Sequence, residues 1–436
     1  MEDSMRHMKL QVLRTTAVVT LLFGAACSGP TEQAPPAAAT SNVTVFEGAR
    51  VITGDGSAPI ENAVFVVEDG RFVSVGTAAN VQAPAGANRV SLAGKTVMPA
   101  IVDTHVHLPV TSREALAEQL QRKAYYGVAA VASLGQDTGD VGYQMREEGV
   151  AGGAMFRTAG RGLTVPEPGR TEAPYWVTSE AEARKAVQEL AARKVDIVKV
   201  WVDDRDGKFK KMGADLYRPI IDEAHKNSLR VIAHVFTLED AKGLIKAGLD
   251  AFAHGVRDRD IDDEGVALFK GNANIVLAPN LPDRGVVTDM SWLSAHIPAG
   301  ELTKLQEAST DRPAAQKTHG IQARNLAKLH AAGVKIALGT DGGIPWSHHH
   351  EMADMVAAGM TPSDVIVAST KNGAEFLRLD NGTVAAGKQA DFIVLDANPL
   401  DDITNTRKIA QVYLKGAAVD RAAVKTRMNA APAATN

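Results

Sequence analysis

Met98-Pro99-Ala100-Ile101-Val102-Asp103-Thr104-His105-Val106-His107 is a short apolar run, opened by a proline, that closes on two histidines one residue apart. Alternate side chains of a β-strand share a face, so the imidazoles of His105 and His107 would project side by side and could grip one cation. The same pair at a strand edge equally fits two solvated or hydrogen-bonded histidines, and the motif alone leaves both readings open. The rest of the chain decides between them.

Downstream of this run, apolar strand candidates alternate with amphipathic helical stretches as far as Asp380. Strands read over 101–107, 128–134, 154–158, 197–202, 230–235, 251–254, 275–278 and 335–339, and helices over 179–193, 214–227 and 238–247. Such alternation argues for parallel βα units, and eight of them over this length predict an α/β fold with a (β/α)8 TIM-like barrel spanning 99–380. The segment 281–332 is longer than a usual loop and helix, so a helical excursion over the barrel mouth is expected there. Thr361-Pro362 and Asp364 open a further helix to Leu377, with Val365, Ile366, Ala368 and Phe376 on its inner side.

The flanks change character. Short alternating strands read over 43–46, 63–67 and 72–75, the last two joined by a tight turn at Glu68-Asp69-Gly70-Arg71. So few strands cannot close a core, and the missing partners are the strand-like runs 391–396 and 409–416 at the far end. Residues 43–98 and 381–428 are therefore expected to form one small β-sandwich built from both chain ends, with 429–436 as a disordered tail.

The 436 residues carry a net charge of -4, with no basic field that would gather nucleic acid. Cys27 is the single cysteine, so intramolecular disulfides and multi-thiolate metal sites are excluded and any metal must be held by nitrogen and oxygen. Arg6, Lys9 and Arg14 precede an apolar run over 15–26, too short to span a bilayer and of the length of a signal-peptide core. Leu22-Phe23-Gly24-Ala25-Ala26-Cys27 resembles a lipobox, although Gly24 stands where leucine is usual and the same small residues suit ordinary cleavage. Residues 1–27 thus read as an export signal and 28–42 as a flexible tether; the expected location is periplasmic, with the membrane reached through a lipid on Cys27. A homo-oligomer stays open.

Barrel enzymes place their chemistry at the C-terminal ends of the strands. There the sequence offers His105 and His107, then Lys199 within Val195-Asp196-Ile197-Val198-Lys199-Val200-Trp201-Val202, His234, His254, and Asp341 in Thr340-Asp341-Gly342. A lysine inside such an apolar strand is costly to bury as a bare ammonium ion, so it must be paired, neutralised or chemically changed. Each residue alone fits a satisfied core group or a turn; six nitrogen and oxygen donors at corresponding strand ends point to a metal site.

With the tail Gly382-Thr383-Val384-Ala385-Ala386-Gly387-Lys388-Gln389-Ala390-Asp391-Phe392, these motifs resemble the amidohydrolase superfamily, most of all its imidazolonepropionase-like and prolidase-like branch. The one departure noted is Ala100, where the family usually has glycine. The resemblance implies His105, His107 and Asp341 on one metal, His234 and His254 on a second, and a CO2-derived carbamate on Lys199 bridging the two. For such nitrogen and oxygen donors the expected metal is zinc, with manganese or cobalt able to replace it. It further implies a hydroxide bridging two divalent ions as nucleophile, and Asp341 as the catalytic proton carrier. The expected activity is hydrolysis of an amide or peptide bond in a small substrate, such as an Xaa-Pro dipeptide or an N-acyl amino acid. Rival readings are a cyclic amidase of imidazolonepropionase type, a phosphotriesterase- or lactonase-like hydrolase, and an inactive tethered binding protein. For substrate contacts the sequence offers His348, in the loop 345–351 after strand eight, and Arg161, whose guanidinium suits a carboxylate.

Overall fold

A computed structural model of the chain describes residues 42–430. Cys27, the signal and most of the tether lie outside the described residues.

Both chain ends contribute to one eight-stranded sheet. Its order is Ala417–Ala418, Ile409–Leu414, Phe392–Leu395, Thr96–Pro99, Val43–Val51, Ile60–Glu68 and Arg71–Thr77, with Asn88–Ser91 alongside Val43–Val51. The join between the termini is the antiparallel pairing of Thr96–Pro99 with Phe392–Leu395. Asp69 and Gly70 take φ of 48° and 75°, the two left-handed residues of a tight hairpin, and Glu68 pairs with Arg71 across it as the sequence predicts.

The sheet folds over on itself. Phe65 and Phe392 sit three strands apart in the hydrogen-bonded order, a separation of about 14 Å in a flat sheet. Their ring centroids are 5.3 Å apart, and Phe46, Phe72 and Tyr413 complete the aromatic core between the two layers. Period-two alternation decides the other face: Phe392 and Val394 enter this aromatic core, whereas Ile393 and Leu395 pack with Ile101, Val128 and the apolar core of the parallel strands.

All eight predicted parallel strands are present in sequential order, trimmed at their ends. Ile101–Val106, Val128–Ser133 and Met155–Thr158 form a three-stranded parallel arc. Val198–Val202, Val231–Val235, Ala251–Ala253, Val276–Ala278 and Lys335–Ile336 form a second, extended by two short strands that the sequence does not announce, Leu163–Thr164 and Tyr175–Trp176. Backbone bonds link the arcs at both seams, from Thr104 N to Leu338 O (2.9 Å) and from Asp196 N to Thr158 O (3.0 Å).

Helices Glu180–Ala192, Ala214–Lys226 and Leu238–Lys246 agree with the sequence to within a residue at each end, the first and third started by hydroxyl caps from Ser179 and Thr237. The segment from Leu281 to Ala332 carries the extra helices expected of it, Ala299–Ala308 and Pro313–Ala331. Its anchor is Leu293, packed with Tyr125, Tyr126, Trp346 and Val424. Pro362–Val367 runs into a π-turn at Ala368–Asn372, which lets the Ala368 carbonyl accept from Leu338 N (3.1 Å) instead of from its own helix. The final helix, Arg421–Ala430, continues two residues beyond the boundary expected at 428.

Candidate metal centre

Five of the six predicted donors meet in one connected cluster, and the sixth adjoins it. His105 Nε2 and His107 Nε2 are each 3.1 Å from Asp341 Oδ1, and His254 Nε2 is 3.4 Å from Asp341 Oδ2. Lys199 Nζ lies 3.4 Å from His105 Nε2. The His234 ring is 4.7 Å from that of His254, centroid to centroid, but its Nε2 faces Asp203 Oδ2 at 2.9 Å. The backbone makes this convergence: both Thr340 N and Asp341 N donate to the His105 carbonyl, pinning the end of strand eight onto strand one. His254 and Asp341 take φ of 92° and 53°, an unfavourable region for residues with a Cβ, and such outliers concentrate at functional sites.

Burial sets the protonation states. It holds the His105 and His254 imidazoles well below their ordinary range and brings His234 down to about 3, so all three are neutral at neutral pH. Asn280 Oδ1 lies 3.0 Å from His105 Nδ1; the amide oxygen can only accept, so Nδ1 carries the proton and the Nε2 lone pair faces Asp341 and Lys199. Burial alone would raise the Asp341 carboxyl, but the hydrogen bond with His107 opposes it and the group lies well below the ordinary carboxylate range. Lys199 is 0 % exposed and forms no ion pair among the described residues; burial lowers its ammonium from 10.5 to about 7.

Around the cluster stands a buried support that the sequence does not reveal. Asp103 Oδ2 accepts from Lys123 Nζ (3.1 Å) and from the Thr340 hydroxyl (2.7 Å), while Oδ1 accepts from Thr340 N (3.1 Å). One carboxylate thus ties strand one, the first helix and the end of strand eight together. Gly135 gives the lysine its room: its φ is 90°, and a Cβ there would lie 2.5 Å from the Trp201 ring and 2.9 Å from Lys199 Cγ. Gly135→Ala is expected to destabilise the protein by about 1–3 kcal/mol, read from the urea midpoint, because neither the ring nor the lysine stem can retreat in a packed strand.

The two residues predicted as substrate contacts, His348 and Arg161, are engaged with backbone carbonyls. His348 is 0 % exposed and its Nε2 is 2.9 Å from the Tyr126 carbonyl oxygen, so it braces the scaffold and presents nothing to a ligand. Arg161 donates from Nε to the Ala173 carbonyl (2.6 Å) and from Nη2 to those of Glu172 (3.2 Å) and Pro174 (3.1 Å), and its guanidinium lies over the Tyr175 ring. It is a strut for the loop it faces. Sequence reasoning also missed Asp203, Arg205 and Arg257, which border His234 from the ends of strands four and six. The available signal was position: polar residues one to four places beyond strands already chosen for their ligands.

One ligand atom from each of His105, His107 and Asp341 can be chosen so that all lie within 4.8 Å of one another. Two imidazoles, one of them fully buried, and a carboxylate are the donor set of a borderline divalent ion, so these residues fit a metal centre. An uncharacterized protein of Mycobacterium bovis is 28% identical over 338 residues, covering 73% of this chain and 82% of its own length. Ochratoxinase of Aspergillus niger is 25% identical, with 83% of each chain covered. Among solved structures, a putative prolidase from Bifidobacterium longum superposes with a TM-score of 0.73 at 26% identity, over 89% of this chain and 100% of that one. A family model described as the amidohydrolase family matches residues 96–419, which span the parallel strands, every donor of the cluster and all three C-terminal sheet strands, and the chain belongs to that family.

Proposed function

We propose that the protein is a binuclear metal-dependent hydrolase that cleaves an amide bond in a small substrate, a dipeptide such as Xaa-Pro or an N-acyl amino acid. His105, His107 and Asp341 hold one ion, His234 and His254 the other, and a carbamate on Lys199 lies between them. The two arcs of parallel strands are read as one closed (β/α)8 barrel over 99–380, flanked by the sheet domain over 43–98 and 381–428.

The observation that carries this reading is Lys199. A fully buried lysine without a carboxylate partner is an unstable arrangement unless the amine is neutral. A neutral amine is also the nucleophile that carboxylation needs: its lone pair adds to the carbon of CO2, the nitrogen gives up one proton to solvent, and an N-carboxylate remains. That anion suits a position between two cations. When bound, the two divalent ions would lower the pKa of water toward neutrality and polarise the substrate carbonyl. Asp341, held anionic among imidazoles and still 39% exposed at its side chain, takes the proton of the attacking water and passes it to the leaving nitrogen. The prolidase among the similar structures supports a dipeptide as the first substrate to try.

Protein loaded with zinc in bicarbonate is expected to hold about two metal ions per chain and to release amino acid from a panel of Xaa-Pro dipeptides and N-acyl amino acids. One ion per chain would sink the binuclear assignment, and a fully loaded protein that cleaves no member of either class would sink the amidase reading. Export and lipidation at Cys27 are part of the same proposal on sequence grounds. A fatty-acid analogue fed to the producing cells should label the wild type and leave Cys27→Ser unlabelled.

A further inference from the structure

Two guanidinium groups converge on His234 at the edge of the donor cluster. Arg205 Nη1 is 3.3 Å and Arg257 Nη2 3.4 Å from His234 Nε2. Arg205 is held by Asp203 (2.8 Å) and Glu167 (3.2 Å). Arg257 forms no ion pair among the described residues; its remaining contacts are the Val235 carbonyl at 3.3 Å and the face of Phe236. Each arginine also keeps one buried donor nitrogen without a hydrogen-bond partner, Nη2 of Arg205 and Nε of Arg257.

A largely buried cation beside a like charge, each with an unused donor, is costly as it stands and is relieved by an anion with two acceptor oxygens. We infer that Arg257, assisted by Arg205, is the specificity-determining subsite for the free carboxylate of the substrate. The preferred substrates are then those whose leaving group is an α-amino acid, the carboxylate lying one carbon from the nitrogen that departs. This deepens the amide-hydrolase reading and rests on it for the other half of the substrate. It also gives a carboxylate partner in place of Arg161, whose Nε and Nη2 are taken by backbone carbonyls.

The test needs probes that the enzyme cannot cleave. L-leucine and L-leucinol differ by the carboxylate alone, and their binding to the zinc-loaded full chain is read by titration calorimetry. Wild type is expected to bind leucine about 10- to 100-fold more tightly than leucinol, and Arg257→Met to shrink that preference to within about threefold. Arg257→Lys keeps the charge and loses the fork, so its preference should fall at least about fivefold, which covers the case in which the methionine variant does not fold. Equal affinities in wild type, no measurable leucine binding, or a preference that survives both substitutions would each overturn the subsite. Leucine selectivity without turnover of any amide would instead sink the hydrolase reading and leave the subsite standing. Turnover of amides without selectivity does the reverse.

Discussion

Lys199→Ala is expected to lower kcat on an amide substrate by a factor of about 10³ or more, because on the proposed function it removes the carbamate that would lie between the two ions and offset their repulsion. The loss should not be one of folding. Lys199 is 0 % exposed, and among the described residues its amine forms no ion pair, with a long 3.4 Å contact to His105 Nε2 and the Trp201 ring beside it, so it contributes little that an apolar side chain of similar length could not supply. Lys199→Met should therefore leave the metal-free protein as stable as wild type or more so, by up to about 1–3 kcal/mol in urea unfolding, while losing activity as alanine does. Retention of the wild-type rate in either variant would show that the carbamate is not needed. Loss of stability in the methionine variant would show instead that Lys199 is a structural residue.

Asp103→Ala is expected to cost about 3–5 kcal/mol of unfolding free energy. Its carboxylate and Lys123 are both 0% exposed, so removing the anion strands a buried ammonium ion and takes the acceptor from Thr340 N and its hydroxyl. Because Thr340 precedes Asp341, the same substitution should loosen the strand-eight side of the metal centre, seen as weaker zinc retention in dialysis against a chelator. Asp103→Leu combined with Lys123→Met should recover much of the stability, since no charge is then left unpaired, but not the zinc retention. A single-variant cost below about 1 kcal/mol would contradict the structural weight given to this pair.

How far the sequence could be read follows the range of the signal. The parallel strands and their helices were legible because burial on both faces writes apolar runs such as Val231-Ile232-Ala233-His234 into short stretches. The ligands were legible because each ends or interrupts such a run. Asp103 lay in plain view, but its partner Lys123 is 20 residues away on a helix, and no local pattern announces that pairing. His348, His349 and His350 open one helix with successive side chains about 100° apart, so the sequence could not say which of them faces a ligand; His348 turns into the core. Strand eight was drawn to Gly339 but ends as a ladder at Ile336, because Leu338 N is taken by the π-turn carbonyl of Ala368 and Thr340 N by the His105 carbonyl. The fold-over that brings Phe65 edge-on to Phe392 depends on sheet curvature, which alternation does not encode.

The claim on which the rest depends is that Lys199 carries a carboxyl group between two metal ions. The direct measurement is 13C NMR of zinc-loaded protein equilibrated with 13C-bicarbonate and then freed of excess label. The account predicts one protein-bound carbamate resonance, present in wild type, absent from Lys199→Met and lost when the metals are stripped. A fully loaded, active enzyme without that resonance would contradict it.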